Sequence, residues 1–228
     1  MNPKNILAVI PAHNAESSIG RVIEHTGAYV PRVIVVNDGS TDATCEVAEH
    51  YGIELISLPS QRGKGYALRT GFASALSNGC KAIITLDADG QHDPADIPNF
   101  LRAHAEDPDA ILVGSRWGQV ENFPRQRYFS NRSAAFFISK ALRQEVTDSQ
   151  CGYRLYPAPV LRGIRLTTSH FQMETEVLLR AARQGIRLHS VPVKNIYFNG
   201  NGPKSNFRPV VDTFYICMVV LQSYLGLL

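Results

Sequence analysis

The amino-acid sequence predicts an α/β fold built on a mostly parallel, doubly wound sheet. In the first half of the chain, short apolar runs rich in β-branched residues alternate with segments whose apolar residues recur at helical spacing. Turn and helix-capping residues separate the two kinds of segment. A β-α-β-α-β-α-β order of this kind is typical of a parallel sheet that helices cover on both faces.

The predicted strands of the first half end at polar segments. These strands are residues 6–10, 33–36, 53–58 and 82–86. The first helix between them spans residues 16–29, and the second runs from a cap at Thr41 and Asp42 to Gly52. The third helix ends before Gly79 and has an apolar face formed by Leu68, Phe72, Ala75 and Leu76.

The second half of the chain is less regular. Its predicted strands are residues 110–114 and 188–193, its helices residues 132–142 and 171–184, and its loops residues 117–126 and 199–209. We therefore predict a domain of residues 1–210, divided into a regular part (1–116) and a less regular part (117–210), followed by a hydrophobic helix (211–228).

The composition narrows the class of protein. A chain of 228 residues with 44% hydrophobic and 19% charged residues indicates one globular domain with a sizeable core. The net charge of +3 is too small to argue for a nucleic-acid partner, but it is compatible with anionic substrates or an anionic membrane surface. The cysteines lack a C-x-x-C pair, which favours reduced thiols in a cytosolic protein: Cys45, Cys80, Cys151 and Cys217.

The C-terminal segment is apolar. Residues 213–228 carry no charge and include Gln222 and Ser223. Since a membrane-spanning helix needs about 20 apolar residues, an interfacial or packed helix is the favoured interpretation. A dimer contact or a core helix would give the same helical spacing of apolar residues. The first apolar run, residues 6–10, is too short for a signal peptide, so we expect a cytoplasmic protein associated peripherally with the inner face of the cell membrane.

The most informative motif is L-D-A-D-G-Q-H at residues 86–92, directly after a predicted buried strand. Asp87 and Asp89 can share a hard cation such as Mg²⁺ or Mn²⁺ with the oxygens of a substrate phosphate. The simpler alternative is an acidic loop in which Asp93 caps the next helix. Further candidate metal ligands are Gln91 and His92.

Three other polar segments follow predicted strands. They are P-A-H-N-A-E (11–16), V-N-D-G-S-T-D (36–42) and R-G-K-G (62–65). Each could simply form a turn or cap a helix, and R-G-K-G lacks the spacing of a phosphate-binding loop. However, a parallel sheet brings the carboxyl ends of its strands to one edge, so we expect these segments to converge on one site.

Together these four motifs resemble glycosyltransferase family 2, with its Rossmann-like GT-A fold, and in particular its dolichyl- or polyprenyl-phosphate mannose or glucose synthase branch. The resemblance continues through G-S-R (114–116), Asp148, C-G-Y-R (151–154), Glu174 and V-P-V (191–193). It implies that residues 1–116 are a nucleotide-sugar-binding half and residues 117–210 an acceptor half. It also implies that the metal ligands are Asp87, Asp89 and Gln91. The implied donor-binding residues are Pro11, His13, Asn14, Val36, Asp38, Lys64, Asp87, Ala88, Asp89 and Arg116.

The acceptor side is less well defined. The resemblance implies a basic acceptor loop containing Lys204, Ser205 and Arg208, although the Arg that usually precedes this loop is not evident at Phe198 or Asn199. A basic group in the acceptor half, which includes Arg132 and Arg154, could also meet a phosphate. The alternative for this group is a solvated basic face.

The activity implied is inverting transfer from a UDP- or GDP-sugar to a polyprenyl phosphate, with Asp89, Arg116 and Asp148 in catalytic roles. A lipid phosphate is already anionic and needs no base, and Asp148 would then orient an arginine or the acceptor loop. A hydroxyl acceptor would instead need Asp148 as its base. Two remoter alternatives are a sugar nucleotidyltransferase and a non-catalytic nucleotide-sugar-binding protein. A lipid-linked acceptor, the membrane surface and a second copy of the chain are the expected partners.

Overall fold

A seven-stranded sheet forms the centre of the protein in the computed structural model, which describes residues 5–117, 125–194, 196 and 208–228. The strands are β1 (Ile6–Ala12), β2 (Val33–Asn37), β3 (Glu54–Ser57), β4 (Ala82–Thr85), β5 (Ile111–Ser115), β6 (Arg154–Pro157) and β7 (Leu188–Pro192). Their order in the sheet is β3-β2-β1-β4-β6-β5-β7.

Most of the sheet is parallel, as predicted. β1 pairs in parallel with β2 and with β4, β2 with β3, and β5 with β7. β6 is antiparallel to both of its neighbours, β4 and β5. The sequence did not indicate β6 as a strand. β6 lies between β4 and β5 and so connects the strands β1 to β4 with β5 and β7.

Eight α-helices are described: α1 (Ile19–Gly27), α2 (Thr44–Glu49), α3 (Lys64–Ser77), α4 (Ile97–Glu106), α5 (Arg125–Leu142), α6 (Ala158–Gly163), α7 (Gln172–Arg183) and α8 (Pro209–Tyr224). α6 was not predicted. The predicted loop of residues 117–126 is wrong at its end, because α5 already begins at Arg125. Residues 118–124, and most of the predicted loop of residues 199–209, lie outside the described residues.

Alternate residues of β1 face opposite sides of the sheet. Leu7 and Val9 pack into one core cluster with Phe72 of α3, whereas Ile6 and Ile10 belong to a second cluster on the other side. Burial of each such side chain contributes about 1.5–3 kcal/mol. Because helices cover both faces, the sheet is doubly wound, as the sequence predicts. The same packing fixes the carboxyl ends of β1, β2 and β4, where the polar motifs begin.

The C-terminal helix, α8, packs against α7 and α5. It starts at Pro209, four residues earlier than the predicted apolar segment, and its buried side includes Asp212, Ile216 and Val219. In the part of the chain that the structure describes, no helix combines the length and the hydropathy needed to cross a bilayer.

Candidate active site

A cleft of about 350 Å³ opens beyond the carboxyl ends of β1, β2 and β4. The four strand-end motifs all contribute to its wall, so the convergence expected from a parallel sheet is confirmed. Its lining residues are Pro11, Ala12, His13, Asn14, Ala15, Asp38, Gln61, Gly63, Lys64, Asp87, Ala88, Asp89, His170, Phe171, Arg208 and Asp212.

The loops after β1 and β2 are tied together by side chains. The Nδ1 atom of His13 lies 2.8 Å from the backbone carbonyl of Asp38, which can only accept, so Nδ1 donates this hydrogen bond. Asn14 has a positive φ of 51°, and its Oδ1 accepts from the backbone N–H of Thr41 at 2.9 Å. Asn14 therefore links the two loops, in place of the helix-capping role considered as its alternative.

Asp38 organises the loop that precedes α3. Its carboxylate accepts from the backbone N–H groups of Arg62, at 2.7 Å, and Gly63, at 2.8 Å. Gly63 has a φ of 95°, and a Cβ there would lie 2.2 Å from Nδ1 of His170, so the loop requires glycine. Asp38 thus lines the cleft, but its carboxylate already accepts hydrogen bonds that fix this loop and, with it, the position of Lys64.

Lys64 bridges two carboxylates at the base of the cleft. Its Nζ lies 2.6 Å from Oδ1 of Asp87 and 3.1 Å from Oε2 of Glu174. Burial is the largest single effect on Asp87 and would raise its pKa, but the charge and hydrogen bond of Lys64, together with His92 and Arg116, outweigh burial and lower this pKa to about 2. Burial opposes the charge of Lys64, and the two carboxylates outweigh it and raise the pKa of the ammonium. Asp87 and Lys64 are therefore both ionised at neutral pH.

Asp89, unlike Asp87, lies in an environment that raises the pKa of its carboxyl. Burial, together with the negative charge of Asp87, raises the pKa of Asp89 to about 6, although its Oδ1 accepts from the backbone N–H of Gln91 at 2.9 Å. A bound cation would relieve this unfavourable charge. The pair Asp87 and Asp89 thus fits a hard divalent cation.

Such a cation would take few ligands from the protein. Nowhere in the described ranges do three or more His, Cys, Asp and Glu side chains group as metal ligands. A pair of carboxylates such as Asp87 and Asp89 suits Mg²⁺ or Mn²⁺, because Mg²⁺ commonly binds one or two carboxylates and completes its shell with water and substrate phosphate. Gln91 does not line the cleft, and its predicted role as a ligand stays a prediction.

His92 supports the acidic loop from behind. Its Nδ1 accepts from the backbone N–H of Asp87 at 3.1 Å, and its ring stacks on Tyr153 at a centroid distance of 5.1 Å. Burial lowers its pKa to about 4, so the ring is neutral. His92 therefore holds the main chain of the acidic loop, and its ring is enclosed away from the cleft.

Arg116 and Asp148 form a bidentate ion pair. Nε of Arg116 donates to Oδ2 at 2.6 Å, and one Nη donates to Oδ1 at 2.9 Å. The side chain of Asp148 is 1% exposed, whereas that of Arg116 is 14% exposed. Both carboxylate oxygens of Asp148 are thus engaged, and its evident effect is to orient the guanidinium of Arg116.

Two predicted site residues are corrected. Arg154 was expected to contact an acceptor phosphate, but it is 1% exposed and donates to the carbonyls of Ser149, Cys151 and Glu174. It is an internal support for the backbone beneath the site. Val36 was expected to contact the nucleotide, but its side chain is fully buried in the core facing α3.

The structure describes part of the predicted acceptor side. Arg208 lines the cleft, and its backbone N–H donates to the buried carboxylate of Asp212 at 2.6 Å. Arg132 is exposed on α5 and does not line the cleft. Lys204 and Ser205 lie outside the described residues.

Sequence reasoning missed several residues of the site. Gln61, His170, Phe171 and Asp212 line the cleft, and Glu174 binds Lys64, yet none was assigned a role. The segment before α7 reaches the cleft by packing on the glycine-rich loop, where the backbone N–H of Tyr66 donates to the carbonyl of Ser169 at 2.8 Å. In the sequence, the glycines at positions 63 and 65 could have indicated that another segment packs closely against this loop.

The family model described as glycosyl transferase family 2 matches residues 7–165. The chain belongs to glycosyl transferase family 2. The sequence-based prediction of a glycosyltransferase of this family is thereby confirmed. The four motifs on which the prediction rested lie within the matched residues, and all four contribute to the cleft.

Several relatives of this glycosyltransferase cover most of its length. An uncharacterized protein of Methanocaldococcus jannaschii is 32% identical, covering 86% of this chain and 84% of the relative. The undecaprenyl-phosphate mannosyltransferase of Micrococcus luteus is 29% identical, covering 82% of each chain. The UDP-N-acetylglucosamine–dolichyl-phosphate N-acetylglucosaminyltransferase of Methanococcus voltae is 28% identical, covering 86% of this chain and 88% of the relative. These relatives confirm the predicted resemblance to the polyprenyl-phosphate branch.

Among solved structures, glucosyl-3-phosphoglycerate synthase from Mycobacterium tuberculosis, in complex with Mn²⁺, UDP and phosphoglyceric acid, gives a TM-score of 0.70 at 20% identity. The match covers 97% of this chain and 77% of that one. The same protein was also crystallised with Mn²⁺ and UDP-glucose, and with Mg²⁺ and UDP. The similarity confirms the predicted GT-A fold, and the predicted cofactors, Mg²⁺ and Mn²⁺, are the ions found in these complexes.

Proposed function

We propose that this glycosyltransferase moves a sugar from a UDP- or GDP-sugar to a polyprenyl phosphate, with a divalent cation and inversion at the anomeric carbon. The choice of a phosphate rather than a hydroxyl acceptor rests on one observation. Both oxygens of Asp148 are occupied by the guanidinium of Arg116, so this carboxylate is poorly suited to remove a proton from a hydroxyl. An acceptor phosphate is already anionic near neutral pH and attacks without a base.

The donor would lie in the cleft across the ends of β1, β2 and β4. His13 and its neighbours in residues 11–15 line one wall. Lys64 sits 2.6 Å from Asp87 and brings a positive charge to the base of the cleft. These groups support a ligand that combines hydrogen-bonding surface with a diphosphate, as a nucleotide sugar does.

The departing nucleoside diphosphate gains negative charge as the sugar takes on oxocarbenium character. Held by Asp87 and Asp89, a divalent cation would supply Lewis-acid stabilisation of that charge. Arg116 adds a fixed positive charge whose orientation is set by Asp148. The enclosed ring of His92 keeps the backbone of the acidic loop in place.

The acceptor phosphate would enter from the side of α8. Arg208 is exposed and lines the cleft, and both its backbone N–H and its guanidinium pair with the buried carboxylate of Asp212, at 2.6 and 3.4 Å. Asp212 would thus hold this cation at the cleft, where an incoming anion can meet it. The lipid tail would extend to a membrane that the C-terminal helix contacts from the cytoplasmic side. The sequences of the named polyprenyl-phosphate relatives support this acceptor class.

A nucleotide-release assay tests this function. The protein is incubated with UDP- and GDP-sugars, with or without Mn²⁺ or Mg²⁺, and with or without a short polyprenyl phosphate. Release of free UDP or GDP that requires both the metal and the lipid phosphate would support the proposal and would identify the donor. Release that a glycan or lipid hydroxyl stimulates, and that polyprenyl phosphate does not, would overturn the choice of acceptor.

A further inference from the structure

The outward side of α8 is more apolar than its buried side. Its buried side includes the polar residues Asp212 and Ser223. By contrast, Phe214 is 60% exposed and Leu225 is 64% exposed. The exposed apolar side chains of this segment are Val211, Phe214, Tyr215, Met218, Leu221, Tyr224, Leu225 and Leu227. Scattered exposed apolar residues are ordinary, but a continuous stripe along a helix marks a surface that is covered in use.

A second exposed apolar group lies on the neighbouring helix. α5 contacts α8, and its Phe136 and Phe137 are 64% and 60% exposed. Their rings touch each other edge to face, with centroids 5.5 Å apart. Two adjacent phenylalanines on α5 are thus left open to solvent.

Basic residues flank the phenylalanine pair. Arg132 and Lys140 are exposed on α5, one helical turn before and after Phe136, and Arg143 is exposed just beyond the end of the helix. Glu145 adds one exposed acidic residue nearby. Aromatic side chains between lysines and arginines are the pattern of a helix that lies in the interface of an anionic bilayer.

The position of the two helices also favours a membrane. α8 begins beside Arg208 and Asp212, which line the cleft. A polyprenyl phosphate resides in a bilayer and must present its phosphate at this cleft. A bilayer that contacts α8 would deliver the phosphate to the cleft end of that helix.

We propose that α5 and α8 form one surface that docks on an anionic lipid bilayer, with Phe136 and Phe137 of α5 inserting beside the apolar stripe of α8. The inference rests on the proposed lipid acceptor for its choice of partner. It extends the proposed function by assigning a membrane role to α5, which lies outside the cleft.

Vesicle flotation of the full chain tests the proposal. The vesicles contain phosphatidylglycerol and phosphatidylcholine, or phosphatidylcholine alone. The test variant is Phe136→Ser/Phe137→Ser, and the matched control is Tyr29→Ser/Tyr51→Ser, which removes two exposed aromatic residues from elsewhere on the surface. We expect the wild type and the control to float with anionic vesicles, and the test variant to bind them at least tenfold more weakly.

Activity assays separate docking from catalysis. The test variant should transfer sugar to a water-soluble, short-chain polyprenyl phosphate at the wild-type rate, since the two phenylalanines lie outside the cleft. It should lose transfer to a long-chain polyprenyl phosphate embedded in vesicles. Equal flotation of variant and wild type would overturn the role of α5. A wild type that fails to float yet transfers to the soluble acceptor would overturn docking while the proposed function stands.

Two further results would also be decisive. Anionic flotation that depends on Phe136 and Phe137, combined with no transfer to either acceptor, would support docking and contradict the proposed function. A wild-type dimer in light scattering that the test variant converts to monomer, without vesicle binding, would assign the surface to a second copy of the chain and overturn the proposal.

Discussion

The carboxylate of Asp148 receives two hydrogen bonds from the guanidinium of Arg116, at 2.6 and 2.9 Å. Asp148 is almost wholly buried, whereas Arg116 retains some exposure. The carboxylate is therefore fixed inside the protein, and the charge of Arg116 is close enough to Asp87 to help lower the pKa of that carboxyl. Under the proposed function, Asp148 is a positioning residue for Arg116.

Replacing Asp148 by Asn should disturb Arg116 rather than remove a base. Loss of one partner of a buried ion pair costs about 3–5 kcal/mol, and the partial exposure of Arg116 favours the lower end. We expect kcat for transfer to polyprenyl phosphate to fall about 100-fold with the shape of the pH profile unchanged, as measured by steady-state kinetics. Loss of an acidic limb from the profile of Asp148→Asn would show instead that Asp148 acts as a base.

Two glutamates of α7 provide a matched pair of variants. Glu174 binds Lys64, whereas Glu176 accepts hydrogen bonds from Thr167, Thr168 and Arg180. We expect Glu174→Gln to lower kcat/KM for the donor about tenfold, because Lys64 loses one of its two orienting carboxylates. Glu176→Gln should lower the free energy of unfolding by about 2–3 kcal/mol and leave kcat per folded molecule unchanged.

These two variants are compared by thermal denaturation and by kinetics at saturating acceptor. If Glu174→Gln loses activity only in proportion to its unfolded fraction, then Glu174 is a packing residue and its assignment to the site fails.

Lys64 should compete with a cation for Asp87, because its ammonium lies 2.6 Å from that carboxylate. We expect Lys64→Met to tighten Mn²⁺ binding to the donor-free protein about tenfold, since a nearby positive charge is removed. Isothermal titration calorimetry measures the affinity, with Lys81→Met, at an exposed position in another part of the chain, as the control. Weaker Mn²⁺ binding in Lys64→Met would contradict the competition.

The pH dependence of the cation-free protein should reflect Asp89. Burial and the charge of Asp87 raise the pKa of Asp89 to about 6, above its value in the unfolded chain. Its contribution to stability is therefore fully present below the unfolded pKa and is lost as pH rises through about 6. We expect Mn²⁺ to raise the melting temperature more strongly above this pH than below it.

A thermal-shift series from about pH 5 to about pH 8, with and without Mn²⁺, measures this effect. Asp89→Asn should abolish the pH dependence of the shift. A shift caused by Mn²⁺ that is constant across the series would show that Asp89 does not control metal binding.

Local patterns in the sequence were sufficient to predict much of the fold. The first four strands are continuous apolar runs that end at polar motifs, and a parallel sheet requires those ends to meet. β6 was not predictable in this way, because Arg154–Pro157 is four residues long and becomes a strand only by pairing with β4 and β5. The long-range partners of a short strand leave no periodicity in its own sequence.

Many residues of the candidate site were predictable from the sequence, whereas the contacts between them were not. The spacing of Asp87 and Asp89 was sufficient to predict a charged loop. The ion pair between Lys64 and Glu174, by contrast, joins segments 110 residues apart in sequence and depends on the packing of α7 against α3. Arg154 was misassigned for the same reason. An arginine in a basic region suggests a phosphate contact, and nothing local reveals that its donors are used by three buried carbonyls.

The central claim is that the sugar is transferred to a phosphate oxygen. The most direct test is a ³¹P NMR spectrum of a short polyprenyl phosphate incubated with the protein, diamagnetic Mg²⁺ and the donor that the release assay identifies. The account predicts that the phosphomonoester signal of the lipid is replaced by a phosphodiester signal as UDP or GDP appears. A lipid that remains a phosphomonoester while the donor is consumed and its sugar appears on a hydroxyl would contradict the account.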